Sequence, residues 1–264
     1  MKRFIILMIA LLTVCNIFSE QLNKNPHVHF GYPGKNGTLL VRTGYVAMHN
    51  NTKKIPVWVS YCLTDQDLKK SLPLKRDYMS DPDIKYGDKA EPKDYENTPY
   101  DRANMAPVQD MQRNKKAMKE SCYLSNVCPM KPELKRGKWK QLEDIIRNFV
   151  KKNGTAWIIA GPIFKDKDSK GKPYKIDKIG WNKVYVPTHF YKIIVYQSSD
   201  MQIKAIAFLF ENKAQNKSLS GYITTIDEIE DLTGLKFINL LPDEVQKIIK
   251  SKKPVAEDLQ YFGI

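Results

Sequence analysis

The amino-acid sequence predicts a single α+β domain with a central, mostly antiparallel sheet flanked by helices. Runs of β-branched and aromatic residues occur in both halves of the chain, and segments with apolar residues at helical spacing lie between them. No internal repeat or low-complexity linker divides the 264 residues. A chain of this length can bury one sizeable core, and mixed strands and helices of this kind pack as α+β layers.

The N-terminal half predicts strands first and irregular structure afterwards. Segments 39–41, 45–48 and 57–61 have strand composition and are joined by short polar turns, so we expect a hairpin arrangement. Residues 73–100 are rich in proline and charge, and a loop of this length in a compact domain is usually functional. An apolar stripe of methionine and valine predicts a helix over 106–118.

The C-terminal half begins with the clearest helix of the chain, over 138–151, whose apolar side chains recur at helical spacing and which Gly154 ends. Thr225 followed by Glu228 predicts the capped start of a second helix, and 242–250 a third. Strands are predicted between these helices, at 156–164, 184–187, 190–196 and 203–210.

The charge of the chain indicates a polyanionic partner. Lysine and arginine total 43 against 29 acidic residues, which gives a formal net charge of +14. Such an excess attracts nucleic acid, anionic membrane or acidic polysaccharide. A lysine-rich, merely solvated surface is the alternative that charge alone leaves open.

The N-terminus predicts export. Residues 1–3 carry two positive charges and 4–14 are apolar but too short for a membrane anchor, so we interpret 1–19 as a signal peptide. Residues 20–37 form an N-terminal arm, and 38–264 form the functional domain. We expect a secreted or periplasmic protein without an integral membrane segment. Lipid anchoring at Cys15 is the alternative, disfavoured by the bulky Val14 before it.

The remaining cysteines do not suggest zinc. Cys122 and Cys128 are close enough in sequence to pair in an oxidising compartment, and their redox state stays open. Cys62 lies among apolar residues and is expected to be buried. Without a CxxC pair or a cysteine–histidine cluster, a zinc site is not expected.

An ordered series of short motifs covers most of 38–245. These segments are 42–45, 57–61, 76–82, 94–95, 100–102, 105–107, 124–126 with Pro129, 137–143, 161–164, 186–187, 190–192 and 230–234. By these motifs the chain resembles the DNA/RNA non-specific endonucleases, the ββα-metal nucleases. The resemblance implies their fold and an endonuclease that cuts DNA and RNA without sequence preference.

The same resemblance implies a set of site residues. In this family the histidine of an Asp-Arg-Gly-His loop acts as general base, and one hydrated Mg²⁺, for which Mn²⁺ can substitute, neutralises phosphate charge. Arg102 and Arg76 stand at the family's arginines and Glu143 at its helix glutamate. Asn126 stands at its first asparagine and is the metal-ligand candidate.

The chain departs from the family pattern where the chemistry is expected. Asn104 replaces the general-base histidine, and its amide has no useful basicity near pH 7. The metal-ligand asparagine falls at Lys135 or Arg136, and a protonated cation cannot ligate Mg²⁺. Loss of a general base typically lowers the rate about 10²–10⁴-fold. A divalent ion is therefore doubtful, although the Lys135 ammonium could take its place against phosphate.

Three functions remain in view. The first is an exported endonuclease of reduced activity, with Arg102, Asn104, Glu143 and Arg76 as catalytic candidates. The second is an inactive relative of the same fold that binds nucleic acid. In both, the phosphate backbone of DNA and RNA is the partner, and Arg76, Arg102, Lys135 and Arg136 are the contacts. The third is a basic surface lipoprotein or adhesin.

Structural roles are the alternative for each site residue. Arg102 could pair with Asp101 or Glu143, Glu143 could serve only as a partner of Arg76, and Asn126 could be a turn residue.

Overall fold

A computed structural model describes residues 24–69, 72–168 and 170–264, so the predicted signal peptide and Cys15 lie outside the described residues. A seven-stranded sheet forms the centre of the molecule, in the order β1-β2-β3-β6-β9-β10-β11 with every neighbouring pair antiparallel. The strands are β1 Thr38–Val41, β2 Val46–Asn50, β3 Ile55–Thr64, β4 Asp101–Asn104, β5 Val127–Met130, β6 Thr155–Ile163, β7 Lys178–Ile179, β8 Val184–Tyr185, β9 His189–Gln197, β10 Ile203–Glu211 and β11 Ile223–Thr224. The predicted α+β fold with a mostly antiparallel sheet is confirmed.

Helices cover both faces of the sheet. They are α1 Asp65–Lys69, α2 Lys115–Ser121, α3 Pro132–Leu134, α4 Lys140–Asn153, α5 Ile226–Thr233, α6 Asp243–Ser251 and α7 Ala256–Phe262. Helix α4 buries the apolar stripe seen in the sequence, and Gly154 ends it with φ +97°, a backbone conformation that favours glycine. The Thr225 hydroxyl accepts a hydrogen bond from the Glu228 amide and caps α5 as predicted.

Two hydrophobic cores lie on opposite faces of the sheet. On one face, α4 and α7 pack with the small β4–β5 sheet over apolar side chains such as Trp139, Phe149 and Phe208. On the other face, α5, α6 and residues 28–30 pack over Trp58 and Tyr191. The first face carries the site described below, and the second contributes stability behind it.

The described part of the predicted arm, 24–37, lies against the sheet. Val28 and Phe30 are buried in the second core. The Trp58 indole donates to the Gly34 carbonyl and the Trp157 indole donates to the Pro26 carbonyl. These contacts tie the segment to β3 and β6.

One predicted element is wrong and others were not predicted. The helix expected over 106–118 is divided into a 3-10 turn, Val108–Met111, and α2. The Asn114 side chain accepts hydrogen bonds from the amides of Lys116 and Ala117, so it begins a new helix at the centre of the predicted one. Strands β4 and β5 and helix α7 had no recognised signal.

The three cysteines of the described chain are free. Cys128 is fully buried on β5, and Cys122 at the end of α2 donates a weak hydrogen bond to the Lys75 carbonyl at 3.7 Å. Cys122 and Cys128 are therefore not joined, although their sequence separation allowed it. Cys62 is only partly buried, and burial raises the pKa of its thiol to about 12. None of the helices in the described ranges combines the length and apolar character needed to cross a bilayer.

A basic cleft between the β4–β5 sheet and helix α4

A small cleft of about 170 Å³ opens between β4, the start of α4 and the extended segment before residue 79. Five cationic side chains line it and, among its described lining residues, Glu143 is the single carboxylate. The cations are Arg76, Lys135, Arg136, Lys140 and Arg147. Three of these cations are ion-paired with carboxylates outside the lining: Arg136 with Asp101, Lys140 with Asp144 and Arg147 with Asp110. The remaining positive charge attracts phosphate groups to the concave site.

Asn104 lies at the C-terminal end of β4, where it pairs with Val127 of β5 and lines the cleft. Its Oδ1 accepts a hydrogen bond from the Tyr78 hydroxyl at 2.8 Å, and its Nδ2 donates to the Ser121 carbonyl at 2.7 Å. Burial raises the pKa of Tyr78 to about 12, so the phenol stays a neutral donor. Both amide atoms of Asn104 are thus engaged by the protein.

Arg102 belongs to the same strand but is not among the residues lining the cleft. Its guanidinium lies 5.4 and 5.6 Å from the ring centroids of Tyr78 and Tyr95 and donates to the Pro92 carbonyl at 2.8 Å. Its Nε is buried and has no hydrogen-bond partner within the described ranges. Arg102 therefore supports the floor of the cleft through Tyr78, and its recorded contacts include neither Asp101 nor Glu143.

Lys135 and Arg136 enter the cleft from a π-helical turn, Lys135–Trp139, whose backbone leaves helical geometry at Gly137. Arg136 forms a bidentate ion pair with Asp101, at 2.8 and 2.9 Å, and Lys135 Nζ lies 3.7 Å from the same carboxylate. Burial lowers the pKa of Lys135, and the nearby Asp101 only partly offsets this effect. Burial alone would raise the pKa of Asp101, but Arg136 and Lys135 hold it below its ordinary value.

Glu143 projects from the first turn of α4 into the back of the cleft, where its side chain is 15% exposed. Lys192 of β9, fully buried, donates to Glu143 Oε1 at 3.4 Å and lies 4.1 Å from the centroid of the Trp139 indole. Burial raises the pKa of Glu143 despite the charge of Lys192. Burial likewise lowers the pKa of Lys192, and the negative charge of Glu143 offsets part of this lowering. The pair is a buried proton-binding unit beside the cleft.

A second buried ion pair supports this unit. Arg147, one turn along α4, donates to Asp110 at 2.8 Å, and Asp110 also accepts from the Tyr61 hydroxyl at 3.0 Å. The charge of Asp110 contributes to the raised pKa of Glu143, and Arg147 opposes it. Sequence reasoning missed Asp110 and Arg147. The pattern of apolar and polar residues on α4 could have identified Arg147, because it places this cation on the buried side of the helix.

Asn126, the predicted metal ligand, lies away from the cleft lining. It is completely buried, and its amide holds the backbone of Ala106 and Ser121 through hydrogen bonds of 2.8 to 2.9 Å. Both amide hydrogens and one acceptor position of Oδ1 are used within the protein. By its geometry Asn126 fixes the loop after β4 rather than facing solvent.

Arg76 is the exposed cation of the cleft rim. No ion pair or hydrogen bond of its guanidinium is recorded in the part of the chain that the structure describes, so its five donors face the cleft and solvent. None of the four histidines lines the cleft. His189 is buried elsewhere on the sheet, where burial lowers its pKa to about 4.

The lining does not fit a hydrated divalent ion. Hard cations prefer several carboxylate, carbonyl or water oxygens. The cleft offers the single carboxylate of Glu143, already paired with Lys192, while Lys135 stands at the position implied for a ligand. Within the described ranges, histidine, cysteine and acidic side chains form no group of three that could hold a metal ion. We therefore derive no chemical step through a metal.

The structure brings Arg76, Asn104, Lys135, Arg136 and Glu143 to one cleft and leaves two predicted site residues outside its lining. Arg102 lies beneath the cleft and Asn126 in the neighbouring core.

Comparison with known proteins places this cleft in context. A family model for DNA/RNA non-specific endonucleases matches residues 23–244. Nuclease C1 of Cunninghamella echinulata var. echinulata is 30% identical, covering 83% of this chain and 90% of its own. The nuclease of Serratia marcescens is 29% identical, covering 95% and 94%. A chain in the crystal structure of the EndoG/EndoGI complex superimposes with a TM-score of 0.76 at 28% identity, covering 82% of this chain and 91% of that one.

Proposed function

This chain belongs to the DNA/RNA non-specific endonuclease family, and from this premise we propose that it binds nucleic acid in the basic cleft and hydrolyses phosphodiester bonds slowly. The family and its relatives support an activity on nucleic acid. The reduced rate is our inference from Asn104, which stands where the family has its general base. The partner is the phosphate backbone of DNA and RNA, without base readout.

The observation that carries the proposal is the cationic lining of the cleft. Carboxylates just outside the lining pair with most of these cations, whereas no partner is recorded for the Arg76 guanidinium within the described ranges. Arg76 supplies free donors, and Lys135 and Arg136 lie within the same small volume. Arginine forms bidentate bonds with phosphate, and lysine adds a point charge. Such contacts stabilise the negative charge that develops on the phosphoryl oxygens.

Glu143 is the residue we propose as the base. It is the carboxylate of the cleft, and burial raises its pKa toward the range in which a base is useful near neutral pH. It would accept a proton from water as the water oxygen attacks phosphorus and the bond to the leaving oxygen breaks. Lys135, whose pKa burial lowers, is placed in the cleft to return a proton to that leaving oxygen.

A second candidate function is binding without hydrolysis. The observation that favours it is the engagement of both Asn104 amide atoms, by Tyr78 and by Ser121. A side chain held in this way does not activate water, and it stabilises the cleft as a rigid binding surface. The two candidates share the cleft and differ only in turnover.

Export is a further part of the proposal. It rests on the sequence pattern of 1–19. Among the relatives, endonuclease G of Homo sapiens, 28% identical over 79% of this chain, is named as mitochondrial, so the compartment needs a direct test. Fractionation of cells that express the full chain, with N-terminal sequencing of the product, tests it. A product that retains residue 1 and stays inside the cell contradicts it.

Digestion of plasmid DNA and of RNA tests the activity. Purified protein is incubated with Mg²⁺, with Mn²⁺ or with EDTA, beside the variants Glu143→Gln and Glu133→Gln. Glu133 is exposed on α3 and serves as the matched control. Slow cleavage that Glu143→Gln abolishes and Glu133→Gln preserves supports hydrolysis. Tight binding with cleavage at background level selects the second function, and absence of binding contradicts both.

A further inference from the structure

A second cavity, of about 540 Å³, lies directly behind the segment that carries Arg76. We call it the lysine pocket. Four lysines and one aspartate line its rim, and two methionines and a cysteine form its floor. These residues are Lys75, Asp77, Met79, Lys115, Lys116, Met118, Lys119 and Cys122.

The lysine pocket and the basic cleft share a wall. Along 75–79, the odd-numbered residues line the pocket, whereas Arg76 and Tyr78 line the cleft. Successive side chains of an extended chain point to opposite sides, which accounts for this alternation. The Met79 amide donates to the Cys122 carbonyl at 3.3 Å and holds the wall beside the end of α2.

The two cavities also meet at a second place. The Ser121 carbonyl accepts the Asn104 hydrogen bond in the cleft, and the next residue, Cys122, belongs to the floor of the pocket. Neighbouring residues of the chain therefore contact the cleft and the pocket at this place as well.

The rim of the pocket is suited to phosphate groups. Lys115, Lys116 and Lys119 are exposed on one short helix, and no ion pair is recorded within the described chain for Lys115 or Lys119. Two carboxylates oppose this charge: Asp77 is paired with Lys75 at 2.6 Å, and Glu120 lies 3.8 Å from Lys116. Lysine ammonium groups attract phosphates without sequence preference.

The floor is suited to an unpaired base. Met79 is partly exposed at this floor, and Met118 and Cys122 are buried beneath it. A methionine sulfur makes favourable contacts with aromatic rings. In a duplex the base faces are stacked and cannot reach such a floor, whereas single strands place their bases on apolar platforms and their phosphates on basic rims.

We propose that the lysine pocket binds the nucleotides that flank the cleft-bound phosphate, and that it selects single-stranded nucleic acid. The inference rests on the proposed binding of phosphate in the cleft. It adds a substrate class and a binding surface to that function.

Oligonucleotide length separates the pocket from the cleft. Binding of oligothymidylates of two and ten nucleotides is measured by calorimetry with EDTA at several salt concentrations between about 50 and 200 mM. The wild type is compared with a triple variant, Lys115→Gln/Lys116→Gln/Lys119→Gln. The matched control is Lys247→Gln/Lys252→Gln/Lys253→Gln, which removes three exposed charges at and just after α6, on the opposite face of the sheet. A ten-base-pair duplex and vesicles of anionic phosphatidylglycerol are measured alongside.

We expect the triple variant to bind the ten-nucleotide strand about 10–100-fold more weakly and to lower its salt slope by about 2. The dinucleotide changes less than about twofold, the duplex is affected less than the single strand, and the control matches the wild type. An unchanged ten-nucleotide affinity, or an equal loss in the control, overturns the inference while the cleft function stands. Loss of vesicle binding alone assigns the pocket to lipid and also overturns it. A wild type that binds neither oligonucleotide contradicts the cleft function itself.

Discussion

The Tyr78 hydroxyl donates a 2.8 Å hydrogen bond to Asn104 Oδ1, while Asn104 Nδ2 holds the Ser121 carbonyl. Asn104, which we assign to the general-base position of the family, forms a structural bridge between β4, the wall of the cleft and the end of α2. The bridge orders the cleft and leaves water activation to another group. Glu143, held by Lys192 at the back of the same cleft, is that group in our proposal.

Restoring the family pattern is the first test. We expect Asn104→His combined with Lys135→Asn to raise cleavage of plasmid DNA with Mg²⁺ by about 10²–10⁴-fold, because it returns a base and removes a cation from the ligand position. Initial rates measure the effect. Asn216→His with Lys138→Asn is the control pair, since neither residue lines the cleft. Unchanged cleavage would mean that positions 104 and 135 do not correspond to the family's base and ligand.

Glu143 predicts a pH dependence. Burial raises its pKa above the ordinary value of 4.5, so the ionised base, and with it cleavage, should appear as the pH rises through that higher pKa. Lys192→Met removes the cation that favours ionisation and should move the acidic limb of the rate profile to still higher pH. Lys204→Met, which breaks the Lys204–Asp258 pair on the neighbouring strand, is the control. A limb that stays in place would argue against Glu143 as the base.

The free energy of unfolding should also depend on pH through the ionisation of Glu143, and the direction of this dependence can be stated. A carboxyl whose pKa is raised in the folded state contributes stability that is present below its unfolded pKa and lost as the pH rises through the folded pKa. Glu143→Gln should therefore reduce the loss of stability that occurs as the pH rises from 4.5 through the higher folded-state pKa of Glu143. Urea unfolding at several pH values measures this, and Glu133→Gln should show no such change. A steeper loss in Glu143→Gln would reverse our assignment of the shift.

The sequence predicted the sheet because strands and helices depend on local patterns. The candidate site residues came from the order of motifs, and the structure brings five of the seven to one cleft. Helix α4 was predicted from the spacing of its apolar residues. Glu143 within this helix and Lys135 before it were assigned from their places in the family motifs. Asn126 shows where such reasoning ends. The sequence does not distinguish an asparagine that ligates a metal from a buried asparagine that holds the backbone. Only the backbone groups around the side chain distinguish the two roles. The Glu143–Lys192 pair, likewise, joins elements 49 residues apart.

Asn126 should be a large contributor to stability. Its amide makes hydrogen bonds with Ala106 and Ser121 in a completely buried site, so Asn126→Ala leaves buried backbone groups without partners. We expect a loss of about 2–4 kcal/mol in the free energy of unfolding, measured in urea. Asn216→Ala, at an exposed position, should change it by less than about 0.5 kcal/mol. A small effect at Asn126 would leave its amide available for a role in the cleft.

We expect Arg76 to contribute more to the affinity for phosphate than the other cations of the cleft. Its guanidinium has no recorded partner in the described chain, whereas Arg136 is paired with Asp101. Arg76→Gln should weaken binding of DNA and RNA alike and lower the salt slope by about 1. Arg113→Gln, which removes an exposed arginine outside the cleft, is the matched control.

Because the cleft supplies its own cations, the affinity of the wild type should be the same in EDTA as in Mg²⁺. A large gain in affinity with Mg²⁺ would show that a divalent ion takes part in binding, against the donor set of the cleft.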